Sequence, residues 1–346
     1  MKNPYFQKKL RTIEVKGGKS ISELLSEMAQ TGFQGRKLGE VVETWELMLN
    51  DSVTIFMGLT GSLSTTGQWR IIKWLVENRF IDVLVSTGAN ISEDILEAMG
   101  GSYWQGSHLV DDRELFKYNI DRFYDVYADE MEYRKMESLL TEFTDALDVN
   151  HVYSSREYLY LLGKWLNEKG IDSIVAAAYR SNVPIFSPAL VDSGYGIANI
   201  MLRFSKGKRV VLDQMKDFEE IVEIGARSKE SGVIYIGGGV PKDFIQLIAV
   251  ALRLRDPDDK EHPHKYAIQI TTDSPQWGGL SGATFEEAIS WGKESPHGRN
   301  TVCYCDATIA LPLVVHALSE RVKKRKYVPD FSWIQLLTQS AGSPHP

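Results

Sequence analysis

Short apolar runs alternate along this chain with amphipathic stretches, and Gly, Ser, Thr and Asp sit between them. "SVTIFMGL" is β-branched and apolar and stops at "TGSLSTTG"; "QWRIIKWLVENRF" then carries apolar residues at helical spacing. "IDVLV" reads as the next strand. "SEDILEAMG" reads as the next helix, with Ser92 as its N-cap. "VPIFSPALVD", "KRVVLD", "SGVIYIGGG", "KYAIQITTD" and "TVCYCDATIALPLVVHAL" continue the series, and Pro241 stands at or near the first position of the helix after the glycine triplet. Asp111 to Asp148 is charged and helical in pattern, a helical excursion near residues 111–150. "RDPDDKEHPHK", residues 255–265, is a surface loop.

Repeated strand-turn-helix units imply an α/β fold with a mostly parallel sheet and helices on both faces. No linker, repeat or low-complexity tract divides the chain, so a single domain is expected over residues 1–346. Ligands of such sheets bind outside the carboxyl ends of the strands. Here those ends are "GLTGSLSTTG", "STGANISED", "SPALVDSG", "GGGVPKD", "TTDSPQWGG" and "CDAT", nearly all pairing Gly with Ser, Thr or Asp. Six such loops on one edge suggest a nucleotide-sized polar crevice. No G-x-G-x-x-G is present, and the triplet Gly237–Gly239 equally suits close packing of strand on helix.

Composition narrows the function classes. A net charge of −7 argues against broad nucleic-acid binding. The one basic run, "KKRK" at 323–326, reads as the solvated end of a helix. Cys303 and Cys305 lie two apart on a strand, facing one side, and read as reduced core thiols. No metal-ligand motif is present, and no metal is expected. With neither a leader-like apolar stretch nor a membrane-length run, a cytoplasmic protein without a membrane partner is expected.

"TFEEAISWGK" poses the chemical question. Thr284 and Glu287 fit a capping box, and Gly292 suits the residue that ends a helix. Lys293 follows. It is either a helix-terminal cation, favoured by the dipole, or a nucleophile, which needs a dry pocket or a neighbouring cation.

The strand-end loops, with "TGFQGRKLGE", "VPIFSPALVD", "GGGVPK", "SGATFEEAISWGK" and "DATIALPL" in order, resemble the deoxyhypusine synthase family, most closely its deoxyhypusine synthase-like group. The resemblance covers most of the chain. It implies a Rossmann-like NAD-binding fold, a homotetramer, and transfer of an aminobutyl group from a polyamine to an acceptor amine through a lysine Schiff base. It assigns Lys293 as that lysine, Glu287 as the catalytic glutamate and Trp291 as the ring against the polyamine. For NAD it implies Gly61, Ser62 and Thr65 in the first loop, Thr87, Gly88 and Glu93 in the second, and Asp192, Gly238, Thr272, Asp306 and Ala307 beyond.

The chain departs from that pattern in the amine pocket. Ile197, Leu280 and Trp277 stand where the family has aspartates, Asp243 replaces a histidine, and Ser62 and Asp273 replace an asparagine and an alanine. An amine left without its carboxylate costs several kcal/mol on burial. Asp243 and Asp273 are new carboxylates placed to grip an amine from another side. The resemblance therefore implies an NAD-dependent aminoalkyl transferase acting on a small amine or polyamine, with a small amine or a protein lysine as acceptor. The alternatives are related imine chemistry on a guanidino or amino substrate, including a homospermidine-type synthase, and a non-enzymatic homologue that binds NAD or a partner.

Overall fold

The computed structural model describes residues 5–255 and 262–334. Its strands, in chain order, are β1 (Thr54–Leu59), β2 (Val83–Ser86), β3 (Tyr103–Gln105), β4 (Ile120–Phe123), β5 (Val126–Asp129), β6 (Val152–Tyr153), β7 (Ile185–Phe186), β8 (Val211–Leu212), β9 (Ser231–Ile236), β10 (His264–Thr271) and β11 (Glu294–Tyr304). Six of them form one sheet in the order β11-β10-β9-β1-β2-β7, and every pairing in it is parallel.

Alternate residues of these strands enter two separate cores. Ile55, Met57 and Leu59 of β1, with Ile234 and Ile236 of β9, join a core containing Val41, Trp45 and Leu162. Phe56, Val233 and Tyr235 face the other way, onto Ile221, Ile224, Ile245 and Phe285. Helices therefore cover both faces, which is why the strands read as unbroken apolar runs.

The chain enters the sheet at β1, moves outward through β2 and β7, then returns to β9 on the other side of β1. The β1–β9 junction is thus the switch point at which open α/β sheets bind ligands. The two exit loops touch there: Thr60 Oγ1 donates to Ile236 O (2.9 Å) and accepts from Gly238 N (3.1 Å). All six loops named from the sequence follow strands of this sheet, on one edge.

Four expectations change. The segment 111–148 is not helical throughout: β4 and β5 form a hairpin that pairs with β3 in an antiparallel sheet, and only Glu130–Asp145 is a long helix. Asn119 and Tyr124, both at φ 55°, take the left-handed conformation that ends the short helix Asp112–Lys117 and turns the hairpin. "KRVVLD" supplies β8, which pairs with β6 in a separate two-stranded sheet. Ser92 begins the helix Glu93–Ala98 but makes no side-chain cap bond, because a 3-10 turn, Ala89–Ile91, precedes it. Most of the 255–265 loop lies outside the described residues.

The basic run is the fourth. The helix Ala307–Arg321 ends before it, and Arg325 turns inward, where its side chain is 1% exposed. Arg325 Nη1 meets Asp82 Oδ1 at 2.5 Å and Nη2 donates to Val53 O at 2.7 Å. Asp82 also accepts from Ile55 N (2.8 Å) and Arg79 Nη2 (3.2 Å), so this ion pair ties the C-terminal segment to the starts of β1 and β2. Cys303 and Cys305 are free and pack on one core, and burial pushes the Cys303 thiol up to about 12. Among the described residues no helix is long and apolar enough to cross a membrane.

Removing one partner of a buried pair leaves an uncompensated charge. Arg325→Met is therefore expected to lower the unfolding free energy by about 3 kcal/mol, read from urea midpoints; a loss within error would place Arg325 at the surface.

Candidate functional site

Lys293 is positioned by how its helix ends. Thr284 Oγ1 accepts from Glu287 N (3.1 Å) to start the helix Phe285–Ser290. At the other end Gly292 N donates to Ile289 O (2.9 Å) and Lys293 N to Ala288 O (3.0 Å), the two bonds of a Schellman motif. Gly292, at φ 70°, supplies the left-handed residue the motif requires. Lys293 O then accepts from His264 N (3.0 Å) at the start of β10. The backbone of Lys293 is thus tied at both polar groups. Its side chain runs to the helix Gly239–Arg255, where Nζ meets Asp243 Oδ1 at 2.7 Å. Nζ also lies 5.5 Å from the centre of the Trp291 ring, which is largely exposed.

Beneath this pair lies a polar cluster that motif reasoning passed over. Lys242 is fully buried, and its Nζ donates to Gln269 Oε1 (3.0 Å) and Ala283 O (2.5 Å). The rings of Phe285 and Tyr235 lie 5.7 and 5.9 Å from it. Burial pulls its ammonium down to about 8, opposed by the charges of Glu294 and Glu287 and assisted by that of Lys293. Glu294 Oε1 accepts from Gln246 Nε2 (3.0 Å), while Oε2 is buried without a partner. Burial pushes this carboxyl up to about 8. Lys242 and Gln246 are four residues apart on one helix, the spacing that aligns them on one face. That spacing was the available signal.

The structure thus gathers Lys293, Trp291 and Asp243 around Lys242, with Glu287 exposed but within electrostatic reach of it. Asp273 stands apart. It is exposed at the end of β10, its amide donates to Thr271 Oγ1 (3.1 Å), and it makes no ion pair among the described residues. Asp243, expected to face an incoming amine, already holds the protein's own lysine. Ile197 and Trp277 are exposed, and Leu280 lies in a 3-10 turn.

The expected cofactor residues divide by what already occupies them. All three triplet amides are engaged: Gly237 N by Ile270 O (2.8 Å), Gly238 N by Thr60 Oγ1 (3.1 Å) and Gly239 N by Ser281 Oγ (3.0 Å). A Cβ on Gly238 would stand 2.6 Å from Ser281 Cα, so close packing alone requires glycine there. Close packing also fixes Gly88, where a Cβ would meet Leu190 O at 2.8 Å. The first loop differs. Gly61 is exposed at φ 86°, and the amides of Gly61 and Ser62 have no acceptor among the described residues. Ser62 Oγ and Thr65 Oγ1 bond each other at 2.6 Å.

Glu93, on the helix after β2, is buried, and its Oε2 has no partner among the described residues. Burial pushes its carboxyl up to about 7, against a hydrogen bond from the Ser62 hydroxyl. Open amides suit a phosphate, and an unpartnered carboxylate suits ribose hydroxyls, so the first two loops fit a dinucleotide. Thr87 Oγ1 accepts from Asn90 Nδ2 (3.1 Å). Asp192 and Thr272 are exposed at the exits of β7 and β10, on opposite sides of the β1–β9 junction. Asp306 caps the helix that begins at Ala307, accepting from Thr308 N (2.8 Å).

A family model described as deoxyhypusine synthase matches residues 23–318. "Probable deoxyhypusine synthase 2" of Archaeoglobus fulgidus is 50% identical over 87% of this chain and 98% of its own length. "Probable deoxyhypusine synthase 1" of the same organism is 37% identical, over 89% and 97%. A crystal structure from Entamoeba histolytica, named for the same enzyme, superposes with a TM-score of 0.65 at 21% identity, covering 91% of this chain and 98% of that one, and so shares the fold. The chain belongs to the deoxyhypusine synthase family.

Proposed function

We propose that this protein is an NAD-dependent aminoalkyl transferase that carries the transferred group as a Schiff base on Lys293. The observation that carries the reading is Lys293 itself: its backbone is fixed, its ammonium is paired with Asp243, and a buried second ammonium, Lys242, lies close by. Family membership supports the aminobutyl transfer class, and NAD, when bound, takes up and returns a hydride at the amine carbon. Glu93 with Gly61, Ser62 and Thr65 is the set suited to hold it.

The contact with Asp243 engages the Lys293 nitrogen, and a nitrogen held in an ion pair is not available as a nucleophile. A donor ammonium entering the site competes for Asp243 and breaks that pair. Once unpaired, the Lys293 nitrogen passes a proton to Glu287 and attacks the donor's imine carbon. The bond from that carbon to the departing amine then breaks as Glu287 returns the proton to the amine. The acceptor amine later displaces Lys293 in the same way. Trp291 offers a flat apolar face, and a cation-attracting one, to the alkyl stem. A homotetramer, as the family implies, would cover the exposed Trp291 and Glu287.

Ile197, Leu280 and Trp277 in place of carboxylates favour a donor with fewer cationic centres than spermidine. Spermidine should be a poor donor beside a smaller amine or a guanidine.

Three measurements test this reading. A native-state ligand at a hundred times its Kd adds about 2.7 kcal/mol, so saturating NAD should raise the melting temperature by a few degrees. Glu93→Ala should lose most of that rise while staying folded; a protein whose melting ignores both NAD and NADH binds neither.

Incubation with NAD and a panel of amines, then borohydride and intact-mass measurement, should place one alkylamine increment on Lys293. Arginine cannot deprotonate to form an imine. Lys293→Arg should therefore abolish the adduct and group transfer yet keep the NAD-induced melting shift, and transfer at the normal rate by that variant would reduce Lys293 to a helix-terminal cation.

The buried carboxyl gives a pH signature. Glu294, raised from 4.5 to about 8, contributes stability that is full below pH 4.5 and lost as pH rises through 8. Lys242, lowered from 10.5 to about 8, acts above that window. The stability of Glu294→Gln relative to the natural protein should therefore rise by about 1–3 kcal/mol between pH 5 and pH 8, read by urea unfolding at both; a constant difference would show an ordinary carboxylate.

A further inference from the structure

A cavity of about 180 Å³ lies behind the loop that follows β7, walled by the helices Glu130–Asp145, Ser155–Glu168, Gly194–Lys206 and Gln214–Arg227. Three polar atoms of its lining residues have no hydrogen-bond partner among the described residues: Ser187 Oγ, Asn199 Oδ1 and Asp217 Oδ2. Ser187 and Asp217 are each 1% exposed. Buried polar atoms are nearly always paired, so three orphans around one space call for an occupant. The Asp217 carboxyl is otherwise engaged, its Oδ1 accepting from Arg156 N at 3.1 Å, with the amide and hydroxyl of Ser155 also acting on it.

The chemistry of the walls selects the occupant. All three orphans are oxygens able to accept hydrogen bonds: the Asn199 amide oxygen, the Asp217 carboxyl oxygen and the Ser187 hydroxyl, which can also donate. No Lys, Arg or His lines the cavity. Arg156 nearby is committed to Glu220 through two bonds of 2.7 and 2.9 Å. Tyr158 and Tyr195 also line the space, but their hydroxyls are bonded to Thr144 Oγ1 (2.8 Å) and Ile91 O (2.5 Å), leaving only ring surface to offer. Leu190 and Val210 supply apolar wall. Acceptor oxygens around one space suit the N–H donors of a primary ammonium, and aromatic and aliphatic walls suit a short alkyl stem.

We propose that this cavity is a binding site for a small alkylammonium ion, separate from Lys293. Its wall is continuous with the crevice edge. Ser187 and Leu190 belong to the loop that carries Asp192, and Leu190 O abuts Gly88 of the second loop. A bound amine therefore braces, from behind, the loop on which two of the expected NAD-contacting segments rest.

The inference goes beyond the transferase reading and does not rest on it. The test is isothermal titration of the full-length protein, without NAD, using n-butylammonium chloride as the probe. Saturable binding is expected. A charge-assisted bond is worth about tenfold or more in affinity, so Asp217→Asn should weaken binding by at least that factor. Asn199→Leu should weaken it severalfold; Oδ1 of Asn199 bonds nothing in the protein, so this variant keeps the test decisive if Asp217→Asn does not fold. Lys293→Arg should bind the probe as the natural protein does, which separates this site from the proposed catalytic one. Absence of saturable heat at tens of millimolar would mean that the cavity holds water only. Binding that survives Asp217→Asn and Asn199→Leu, or that vanishes in Lys293→Arg, would place the amine elsewhere, and either result overturns the proposal.

Discussion

Burial of both faces of a parallel sheet governs the rest of this molecule. Strands closed in above and below by helices have no room for polar side chains along their length, so polar chemistry is driven to their ends. In this chain the ends gather on one edge, and the β1–β9 switch opens that edge where two exit loops meet. Among the described residues the amides of Gly61 and Ser62 in the first loop stay open, while the glycine triplet gives all of its amides to the protein. The same edge therefore contains one loop with open donors and one that holds the frame together.

Gln269 within β10 and Glu294 at the start of β11 are buried exceptions, and with Lys242 of the neighbouring helix they lie beneath Lys293. A buried ammonium is tolerable only when its donors are taken, and Gln269 and the Ala283 carbonyl take them. Maintaining such a charge against desolvation is a cost the fold could avoid with an apolar residue of similar size. That it is retained beside the one lysine the motif singles out fits an electrostatic task rather than a packing one.

The sheet was legible because each strand carries its own signal: a β-branched run that stops at Gly, Ser or Thr. All six exit loops could be read off the chain for that reason. The capping of Lys293's helix was legible too, since Thr284 and Gly292 act within a few residues. What escaped was long-range or conformational. The hairpin Ile120–Asp129 hides in a charged segment because it depends on Asn119 and Tyr124 adopting positive φ, which non-glycine residues rarely do. Arg325 looks like surface in "KKRK", and only Asp82, 243 positions earlier, draws it inside. Asp243 was noticed as a carboxylate, but its partner across the fold was not foreseeable from either local stretch.

The Schellman closure of the helix before Lys293 has a kinetic consequence. With the amide bonded to Ala288 and the carbonyl to His264, the backbone at Lys293 is held and the side chain is left as the movable part. On the transferase reading proposed above, only the four-carbon stem would move, and its reach is short. Donor and acceptor would then use the same ground in succession, and the first amine product would vacate before the second amine enters, with a loaded lysine as the resting point between two half-cycles.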